Sequence, residues 1–521
     1  HIALMELGEK KLDYFALGYE TLDEFYKKDF QNFINYNIKD VELVCRLEEK
    51  MKLLEQVYAL AYDSKVNLIE TMTTVRIWDV IIHNYLRKQG IVVPYNSKSR
   101  GDDDDEEEED PGQIQGAYVK DPQVGLHNWV MSYDLNSLYP HIIMQYNISP
   151  DTYIGQIGGV EVTKLIETGF ANKKLHDKLV ADNVTFCGTG CMFTKEYQGF
   201  LPKLMEKMYN DRVVWKNRMI EAKKKYEQNP TIELRNEIAQ SQNMQQAKKI
   251  QMNSAYGALG NKHFRWYERK YAESITLSGQ LAIRWVEMKM NAFLNEKLES
   301  DKDYVIACDT DSMYLDLEEY VCRYLPDSED FVGTLDDHNG KVFQPVIDNA
   351  FEELAIHVNA YQQKMFMKRE AIADKGIWTG KKHYILNVYN NEGVQYKEPK
   401  LKMQGIEAIR SSTPAVCRDN FKQVLGVIMS KDEQAAIDFI ADFKQKFFEL
   451  PFEEVSFPRS VQGLNKWAQG SSFKSGCPIH VRGALMYNFL VNKHKVHLKY
   501  PLIINGDKIK FCYMKMPNPI N

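Results

Sequence analysis

The stretch "YVIACDTDSMYL" at residues 304–315 places two carboxylates, Asp309 and Asp311, one residue apart inside an apolar run. A buried carboxylate is costly unless a positive charge compensates it, so a metal ion is one explanation for this pair. The other explanation is local, because Asp-Thr-Asp-Ser is typical of a turn joining the strands "YVIAC" and "SMYLDL". Both explanations predict a β-hairpin here, and this stretch alone leaves the metal question open.

The composition indicates a large soluble protein with several cores. The chain has 521 residues, of which 44% are apolar, and this length suggests roughly three or four domains. It contains no apolar run long enough to span a membrane, and it begins His-Ile-Ala-Leu without a leader pattern or a Met, as expected for a fragment or a processed product. Eight cysteines without framework spacing favour a reducing, cytosolic setting.

The net charge is concentrated in one run. The chain carries −6 overall, but the run "DDDDEEEED" at 102–110 contributes −9, so the remainder sums to +3. Such a block is typical of a solvated segment, and we interpret 97–117 as an acidic linker.

The hydrophobic pattern predicts helices over 20–90, a buried strand at "WVMSYDL" followed by a short helix that ends near Pro150, and a loop-rich β region to about 199. Two long helices follow over 201–260, interrupted by Asn-Pro at 229–230, which indicates an antiparallel helical hairpin. We expect strands again at 303–317 and 366–400, helices over 413–450, and a strand-like segment in the last 40 residues.

The predicted helical hairpin is basic, with eleven Lys or Arg against six Asp or Glu. Lys249, Asn253 and Tyr256 share one face of its second helix, and Arg212 and Lys216 are spaced i, i+4 on the first. These cations suit a triphosphate. A solvated helix face, with Tyr and Gly serving helix packing, is the competing interpretation.

A third acid, Asp134, ends the strand "WVMSYDL". Mg²⁺ prefers carboxylate, water and phosphate oxygens, and two such ions held by acids from separate strands suit in-line phosphoryl transfer. Asp134 and Asp311 are therefore candidate metal ligands.

Three segments in this order, "DLNSLYP" at 134–140, "KKIQMNSAYGALGN" at 248–261 and "DTDS" at 309–312, resemble the polymerase motifs of family-B DNA polymerases. The segments "GIWTGKKHYILNV", "EPKLKMQGIE" and "CPIHVRGALMYN" resemble in particular the replicative polymerases of T-even-like bacteriophages. The likeness spans essentially the whole chain except the acidic run.

The resemblance implies an α/β (α+β) fold, namely a right-hand polymerase with a ferredoxin-like antiparallel β palm, helical-hairpin fingers, a partial thumb and a C-terminal remnant of a 3′→5′ exonuclease domain. The implied domains are the exonuclease remnant 1–52, a helical segment of the N-terminal domain 53–96, the acidic linker 97–117, a first palm segment 118–200, the fingers 201–260, a second palm segment 261–410 and the thumb 411–521.

The resemblance also implies roles for single residues. The catalytic carboxylates are Asp134 and Asp311, with Asp309 as a secondary acid, and the two Mg²⁺ ions are held by Asp134, Asp311 and the carbonyl of Leu135. The implied dNTP-binding residues are Leu135, Ser137, Leu138, Tyr139, Arg212, Lys216, Lys249 and Asn253. Within this set Tyr139 lies beneath the deoxyribose and excludes a 2′-hydroxyl. The implied DNA-binding residues are Tyr256, Gly257, Lys382 and Tyr384.

Two departures from the family pattern carry consequences. Cys308 stands where the family commonly has Gly, which puts the local strand packing in question. In addition, "YNIKD" resembles the third exonuclease motif through Tyr36 and Asp40, but the earlier Asp-x-Glu motif is absent from the chain. One carboxylate cannot hold two ions, so we expect no proofreading by this chain alone. A separate polypeptide carrying the missing part, or truncation, would explain the pattern.

The function expected from this resemblance is template-directed addition of dNTPs to a primer 3′-OH on primer-template DNA, during viral replication in the cytoplasm of an infected bacterium. A sliding clamp is an expected partner, and no membrane association is expected. The alternative is a catalytically silent DNA-binding subunit of a replication assembly, against which the intact acids argue. An RNA-synthesising palm enzyme is a lesser option, disfavoured by Tyr139.

Overall fold

The structure is a computed structural model that describes most of the chain. The described residues are 2–14, 17–19, 21–93, 113–168, 170, 173–326, 328–430, 433–470, 472–497 and 499–513. Most of the predicted linker 97–117, including the acidic run 102–110, lies outside them.

The described helices follow one another along the chain as α1 (Ile2–Leu7), α2 (Leu22–Lys28), α3 (Phe30–Met51), α4 (Leu53–Ser64), α5 (Thr74–Lys88), α6 (Leu138–Tyr146), α7 (Val162–Glu167), α8 (Lys173–Ala181), α9 (Phe200–Gln228), α10 (Ile232–Leu259), α11 (Arg269–Leu298), α12 (Glu318–Tyr324), α13 (Phe331–His338), α14 (Gln344–His357), α15 (Ala415–Ser430), α16 (Glu433–Phe447), α17 (Phe452–Val455), α18 (Leu464–Trp467) and α19 (Ile479–Lys493). A 3₁₀ helix spans Leu68–Met72 and a π-helix spans Asn339–Phe343.

The described strands are β1 (Gly125–Leu135), β2 (Tyr153–Gln156), β3 (Val184–Phe186), β4 (Cys191–Thr194), β5 (Val305–Asp309), β6 (Ser312–Asp316), β7 (Met367–Gly380), β8 (His383–Asn391), β9 (Val394–Gln404), β10 (Phe457–Ser460), β11 (Ala468–Gln469), β12 (Ser472–Phe473) and β13 (Lys508–Phe511).

The chain folds into two compact units. The larger unit comprises Met51–Lys381 and Val388–Lys400, and the smaller unit comprises His1–Lys50, Lys382–Asn387 and Leu401–Asn521. The predicted domain boundaries stay predictions.

The strands β5, β6, β1 and β7 of the larger unit are consecutive neighbours in a six-stranded sheet of order β5-β6-β1-β7-β8-β9. Its central strand β1 pairs antiparallel with β6 on one side and β7 on the other. The run Val130–Tyr133 of β1 is buried, as expected for a strand flanked on both edges and covered by helices, whereas Asp134 near its end is exposed. The apolar run thus fixes the strand in the core and brings the acid out at the end of the sheet.

Helices α9 and α10 form the antiparallel hairpin that the sequence predicts. α9 ends at the Asn-Pro break, because Pro cannot continue a helix, and the side chain of Thr231 accepts a hydrogen bond from the Leu234 N–H to start α10. The tip of the hairpin is exposed, while its base packs into the core through residues such as Leu204 and Met252.

The main core of the larger unit lies between the sheet, α11 and α14. Trp285 on α11 is buried and donates its indole N–H to the carbonyl of Ala350 on α14 at 2.9 Å. A smaller sheet in the order β2-β4-β3 accounts for the predicted β region before residue 199, although α7 and α8 also lie there.

The smaller unit contains helices and short strand pairs, among them β10 with β13 and β11 with β12. The prediction of helices over 413–450 is confirmed by α15 and α16. The prediction of a strand-like last 40 residues is wrong for its beginning, since α19 continues to Lys493 and β13 is the strand described there. Apolar positions of α19 such as Val481, Ala484 and Val491 are buried at helical spacing, so burial of one face favours the helix.

The mixed α/β class with an antiparallel sheet is confirmed. None of the helices in the described part of the chain is both long and apolar enough to cross a membrane.

Candidate active site

The three predicted acids lie at the same end of the six-stranded sheet. Asp134 on β1 is paired in register with Ser312 on β6, and the Leu135 N–H donates to the carbonyl of Asp311 at 2.8 Å. Asp309 ends β5, whose partner is also β6. Main-chain pairing therefore holds residues from two distant parts of the chain next to each other.

Residues 304–315 form the predicted β-hairpin, in which β5 pairs with β6, and hydrogen bonds close the turn between them. The Asp311 N–H donates to the carbonyl of Asp309 at 2.7 Å, and the Ser312 hydroxyl donates to the same carbonyl at 3.2 Å. Thr310 adopts a positive φ of 63° at the tip. Neither hydrogen bond uses the Asp311 carboxylate, which is half-buried at the sheet end, so a turn and a metal site are compatible here.

The donor set at this end fits a hard cation. The carboxylates of Asp134 and Asp311 and the carbonyl of Leu135 are all oxygen donors, which Mg²⁺ prefers. Within the described ranges, no group of three or more His, Cys, Asp and Glu side chains is placed to hold a metal. Any ion here would accordingly be shared between these two carboxylates and other oxygen donors.

Two tyrosine rings meet beside the acids. Tyr139, in the first turn of α6, lies 4.7 Å from Tyr256 on α10 between ring centroids, with the ring planes inclined by 44°. Burial raises the pKa of Tyr139 to about 12, and the nearby Tyr256 and Asp311 add to the effect. The phenol thus stays protonated at neutral pH, and elements β1–α6, α10 and the β5–β6 turn converge on it.

The start of α6 lies between the acids and these rings. Ser137 has a left-handed φ of 49°, and its carbonyl accepts from the N–H of His141 at 3.2 Å. First-turn N–H groups of a helix lack intrahelical partners and favour anions, which suits the predicted phosphate contacts of Ser137 and Leu138. His141 is buried, with Nδ1 3.0 Å from the Ser137 carbonyl, and serves the structure of this turn.

Arg212 is partly buried near the start of α6. Its Nε atom is buried and has no hydrogen-bond partner among the described residues. Burial lowers the pKa of Arg212. Burial also lowers the pKa of His141, and the positive charge of Arg212 adds a smaller lowering. A guanidinium that leaves a donor unused in a buried position is suited to an anionic ligand.

The other predicted triphosphate residues are exposed. Lys216, Lys249 and Asn253 lie on the solvent-facing sides of α9 and α10. The Lys248 ammonium on α10 lies 3.3 Å from the Asp211 carboxylate on α9. The next residue of each helix, Lys249 and Arg212, therefore lies at a similar height along the hairpin.

Lys248 is a residue whose importance sequence reasoning missed. It is buried and lies 2.6 Å from the carboxylate of Asp63 on α4 as well as beside Asp211. The signal was present, because Lys248 shares helical spacing with the buried Gln245, Met252 and Ala255, whereas Lys249 is rotated by about 100° from Lys248 around the helix and is exposed.

Gly257 and Cys308 complete the neighbourhood. A Cβ atom placed on Gly257 would meet no heavy atom of the described residues within 4 Å, so its exposed side is open to a ligand. Cys308 is buried within β5 and paired in register with Met313. Burial raises the pKa of its thiol, so the side chain is neutral. Cys308 therefore fits into the strand as a small neutral residue at the position where the family commonly has Gly.

Tyr36 and Asp40, the predicted exonuclease remnant, lie one turn apart on α3 in the smaller unit. Asp40 accepts a hydrogen bond from Lys11 at 2.7 Å, and this contact raises the pKa of Lys11. The Tyr36 ring packs edge-on against Tyr14 and Phe25. The Asp40 charge is therefore compensated by a lysine.

Lys382 and Tyr384, the predicted primer-duplex contacts, also belong to the smaller unit. Lys382 has a positive φ of 61° in the turn before β8, and Tyr384 is buried. Gly405 approaches this turn so closely that a Cβ would lie 2.1 Å from the Lys382 carbonyl. Their contact with DNA stays a prediction.

A comparison with known families identifies the chain. The model of DNA polymerase family B matches residues 65–325, a range that contains all three predicted polymerase motifs. The chain belongs to DNA polymerase family B. The resemblance stated from the motifs is thereby confirmed.

Relatives of this family-B chain include the DNA-directed DNA polymerase of Escherichia phage RB69, 30% identical over 581 aligned positions covering 100% of this chain and 61% of the relative. The DNA-directed DNA polymerase of Enterobacteria phage T4 is 29% identical and is also covered to 61%, over 99% of this chain. DNA polymerase 1 of Pyrococcus abyssi is 26% identical over 66% of this chain and 36% of its own length. The chain thus spans about three fifths of the length of the phage relatives.

Proposed function

We propose that this family-B chain catalyses template-directed addition of dNTPs to a primer 3′-OH, with two Mg²⁺ ions, during viral DNA replication in an infected bacterial cell. Its substrates would be primer-template DNA and dNTPs. The observation that carries the proposal is the convergence of three distant segments, through the 2.8 Å hydrogen bond from Leu135 to Asp311 and the 4.7 Å contact of Tyr139 with Tyr256.

The acids at the sheet end would hold the metal ions. Asp134 and Asp311 offer carboxylates from adjacent strands, and the carbonyl of Leu135 follows Asp134 directly in the chain. When bound, the two ions would activate the primer hydroxyl and stabilise the charge that develops on the leaving pyrophosphate. Asp309, whose carboxylate accepts a hydrogen bond from Thr310 at 3.1 Å, would act as a secondary acid.

The α9–α10 hairpin and the start of α6 would bind the triphosphate. Arg212 has a buried donor unused by the described residues, and Lys216 and Lys249 extend into solvent from neighbouring helices. Lys side chains act as point charges and Arg as a forked donor, so together they neutralise and orient phosphate oxygens. Asn253 would support them, and the N–H groups of Ser137 and Leu138 would contact the phosphates from the helix terminus.

Tyr139 would lie beneath the sugar and select deoxyribose. Its ring is held against Tyr256 and partly buried, so it cannot move aside easily for a 2′-hydroxyl. Tyr256 and the open side of Gly257 would contact the nascent base pair, and Lys382 and Tyr384 the primer duplex.

Primer extension by the purified chain tests the proposal. We expect incorporation of dNTPs that requires Mg²⁺, stops with a chelator, and is lost in Asp134→Asn. The matched control is Asp337→Asn, an exposed carboxylate paired with Lys341 on another surface, which should keep full activity. Tight, salt-sensitive binding of primer-template without any Mg²⁺-dependent extension would instead favour the DNA-binding subunit.

We do not expect excision of a mismatched primer end by the described residues, because Asp40 is paired with Lys11 and the described chain holds no further acids placed around it as a metal cluster. Association with a separate polypeptide that carries the remaining exonuclease motifs, and with a sliding clamp, remains a prediction.

A further inference from the structure

A cavity of about 130 Å³ lies at the base of the α9–α10 hairpin, where α9 and α10 meet α4 and α5. Its apolar wall is formed by Ile81, Leu204 and Met208, which are buried. Four lysines also line it, namely Lys65, Lys88, Lys207 and Lys248. The single carboxylate in the lining is that of Asp63.

The positive charge of the cavity is largely uncompensated. Lys248 is paired with Asp63 at 2.6 Å, so Asp63 is already engaged. Lys65, Lys88 and Lys207 are exposed, and the described residues form no ion pair with them. Three lysines thus line a recess that has buried apolar side chains on one side, a setting in which electrostatic attraction exceeds that of an open surface.

We propose that this cavity binds a phosphate-class anion. Its size admits a phosphate group but is well below the volume of typical pockets for larger organic ligands, roughly 300 Å³ and above. Lys ammonium groups bind phosphate as point charges. The phosphate can come from a free oligophosphate such as pyrophosphate or from the backbone of a single-stranded nucleic acid, and both present the same chemistry to the three lysines.

The position of the site gives the anion a mechanical role. Lys207 belongs to α9, whereas Lys65 follows the C-terminal end of α4 and Lys88 is the last residue of α5. An anion held by all three would cross-link the hairpin base to the α4–α5 pair, beside the Lys248–Asp63 ion pair that already joins them. The α10 residue in this lining is the buried Lys248, whereas Arg212, Lys216 and the exposed Lys249 do not line the cavity, so the site is distinct from the proposed triphosphate site.

The test compares two triple variants with equal charge change. One is Lys65→Gln, Lys88→Gln, Lys207→Gln. The control is Lys173→Gln, Lys174→Gln, Lys178→Gln on the exposed face of α8, away from the cavity. Binding of pyrophosphate and of a single-stranded oligonucleotide is measured separately by calorimetry in buffer with a metal chelator, so that no nucleotide is incorporated and the result does not depend on polymerase activity.

A free oligophosphate as ligand predicts saturable pyrophosphate binding by the wild type that weakens at least tenfold in the cavity variant alone. A nucleic-acid backbone as ligand predicts that the slope of log affinity against log salt falls by about 2, since each phosphate contact with a single strand contributes about 0.7. The inference is overturned if the two triple variants match in both measurements. If the triple variant does not fold, Lys207→Gln compared with Lys178→Gln decides by the same readouts, with a slope change of about 0.7.

Discussion

The acid-bearing end of the six-stranded sheet and the α9–α10 hairpin both supply residues to the candidate active site, but different interactions fix the positions of those residues. At the sheet end, main-chain hydrogen bonds of 2.7 and 2.8 Å fix Asp309, Asp311 and Leu135 relative to one another. On the hairpin, Lys216 and Lys249 extend from long helices into solvent. Strand register therefore sets the geometry of the acids, whereas the geometry of the cations depends on how the buried sides of the same helices pack.

We expect the largest effect on activity from replacing an acid at the end of the sheet. Asp311→Asn should lower the extension rate by at least about 10³-fold, because a metal-holding carboxylate supports several kcal/mol of charge stabilisation in the transition state. Primer-template affinity should change little. Single-turnover extension and DNA binding measure the two effects, and Asp309→Asn provides the comparison, with a smaller expected loss. Equal activity of Asp311→Asn and the wild type would contradict the assignment.

Two adjacent lysines on α10 compare a buried position with an exposed one. Lys248→Met should lower the free energy of unfolding of the larger unit by about 2 kcal/mol, since breaking a fully buried pair costs about 3–5 kcal/mol and Asp63 and Asp211 remain partly exposed. Lys249→Met should leave stability within about 0.5 kcal/mol while weakening dNTP use. Urea unfolding and the kcat/KM for a dNTP separate the two. Equal destabilisation by both variants would contradict the assignment of Lys248 as the buried, paired lysine and Lys249 as the exposed one.

Tyr139 lies between the two regions and should determine sugar choice. Tyr139→Ala should reduce the preference for dNTP over rNTP about tenfold or more, because the ring no longer blocks the 2′-hydroxyl. Tyr139→Phe is the matched control, and it should keep the preference, since a phenol with a pKa of about 12 carries no charge at neutral pH. The ratio of kcat/KM for a dNTP and the matching rNTP measures the effect. An unchanged ratio in the alanine variant would remove this role.

The smallest expected effect is at the tip of the hairpin. Thr231→Ala removes the hydroxyl that accepts from the Leu234 N–H and should cost about 1 kcal/mol, confined to the first turn of α10. Hydrogen exchange of the first-turn amides should rise while exchange at Met252, near the packed base, stays unchanged. Faster exchange at both ends would mean that the hairpin opens as one unit.

The sequence was sufficient for local elements and for the order of the motifs. The hairpin around Asp309 and Asp311, the strand ending at Asp134 and the two long helices were predictable, since periodicity and turn residues are local signals. The ion pair of Lys248 was not predicted, because its partner Asp63 is 185 residues away in the chain, although the helical spacing of Lys248 with Met252 and Ala255 was a local sign of burial. Helix α19 was missed because its Lys-rich surroundings concealed the apolar face.

A crystal structure of the chain with primer-template, a non-extendable dNTP and Mg²⁺ tests directly whether Asp134 and Asp311 share a metal ion. We expect one ion bound by carboxylate oxygens of both Asp134 and Asp311 at about 2.0–2.1 Å, with the triphosphate reaching towards Arg212. A bound nucleotide whose ions touch neither carboxylate, or only one of the two, would contradict it.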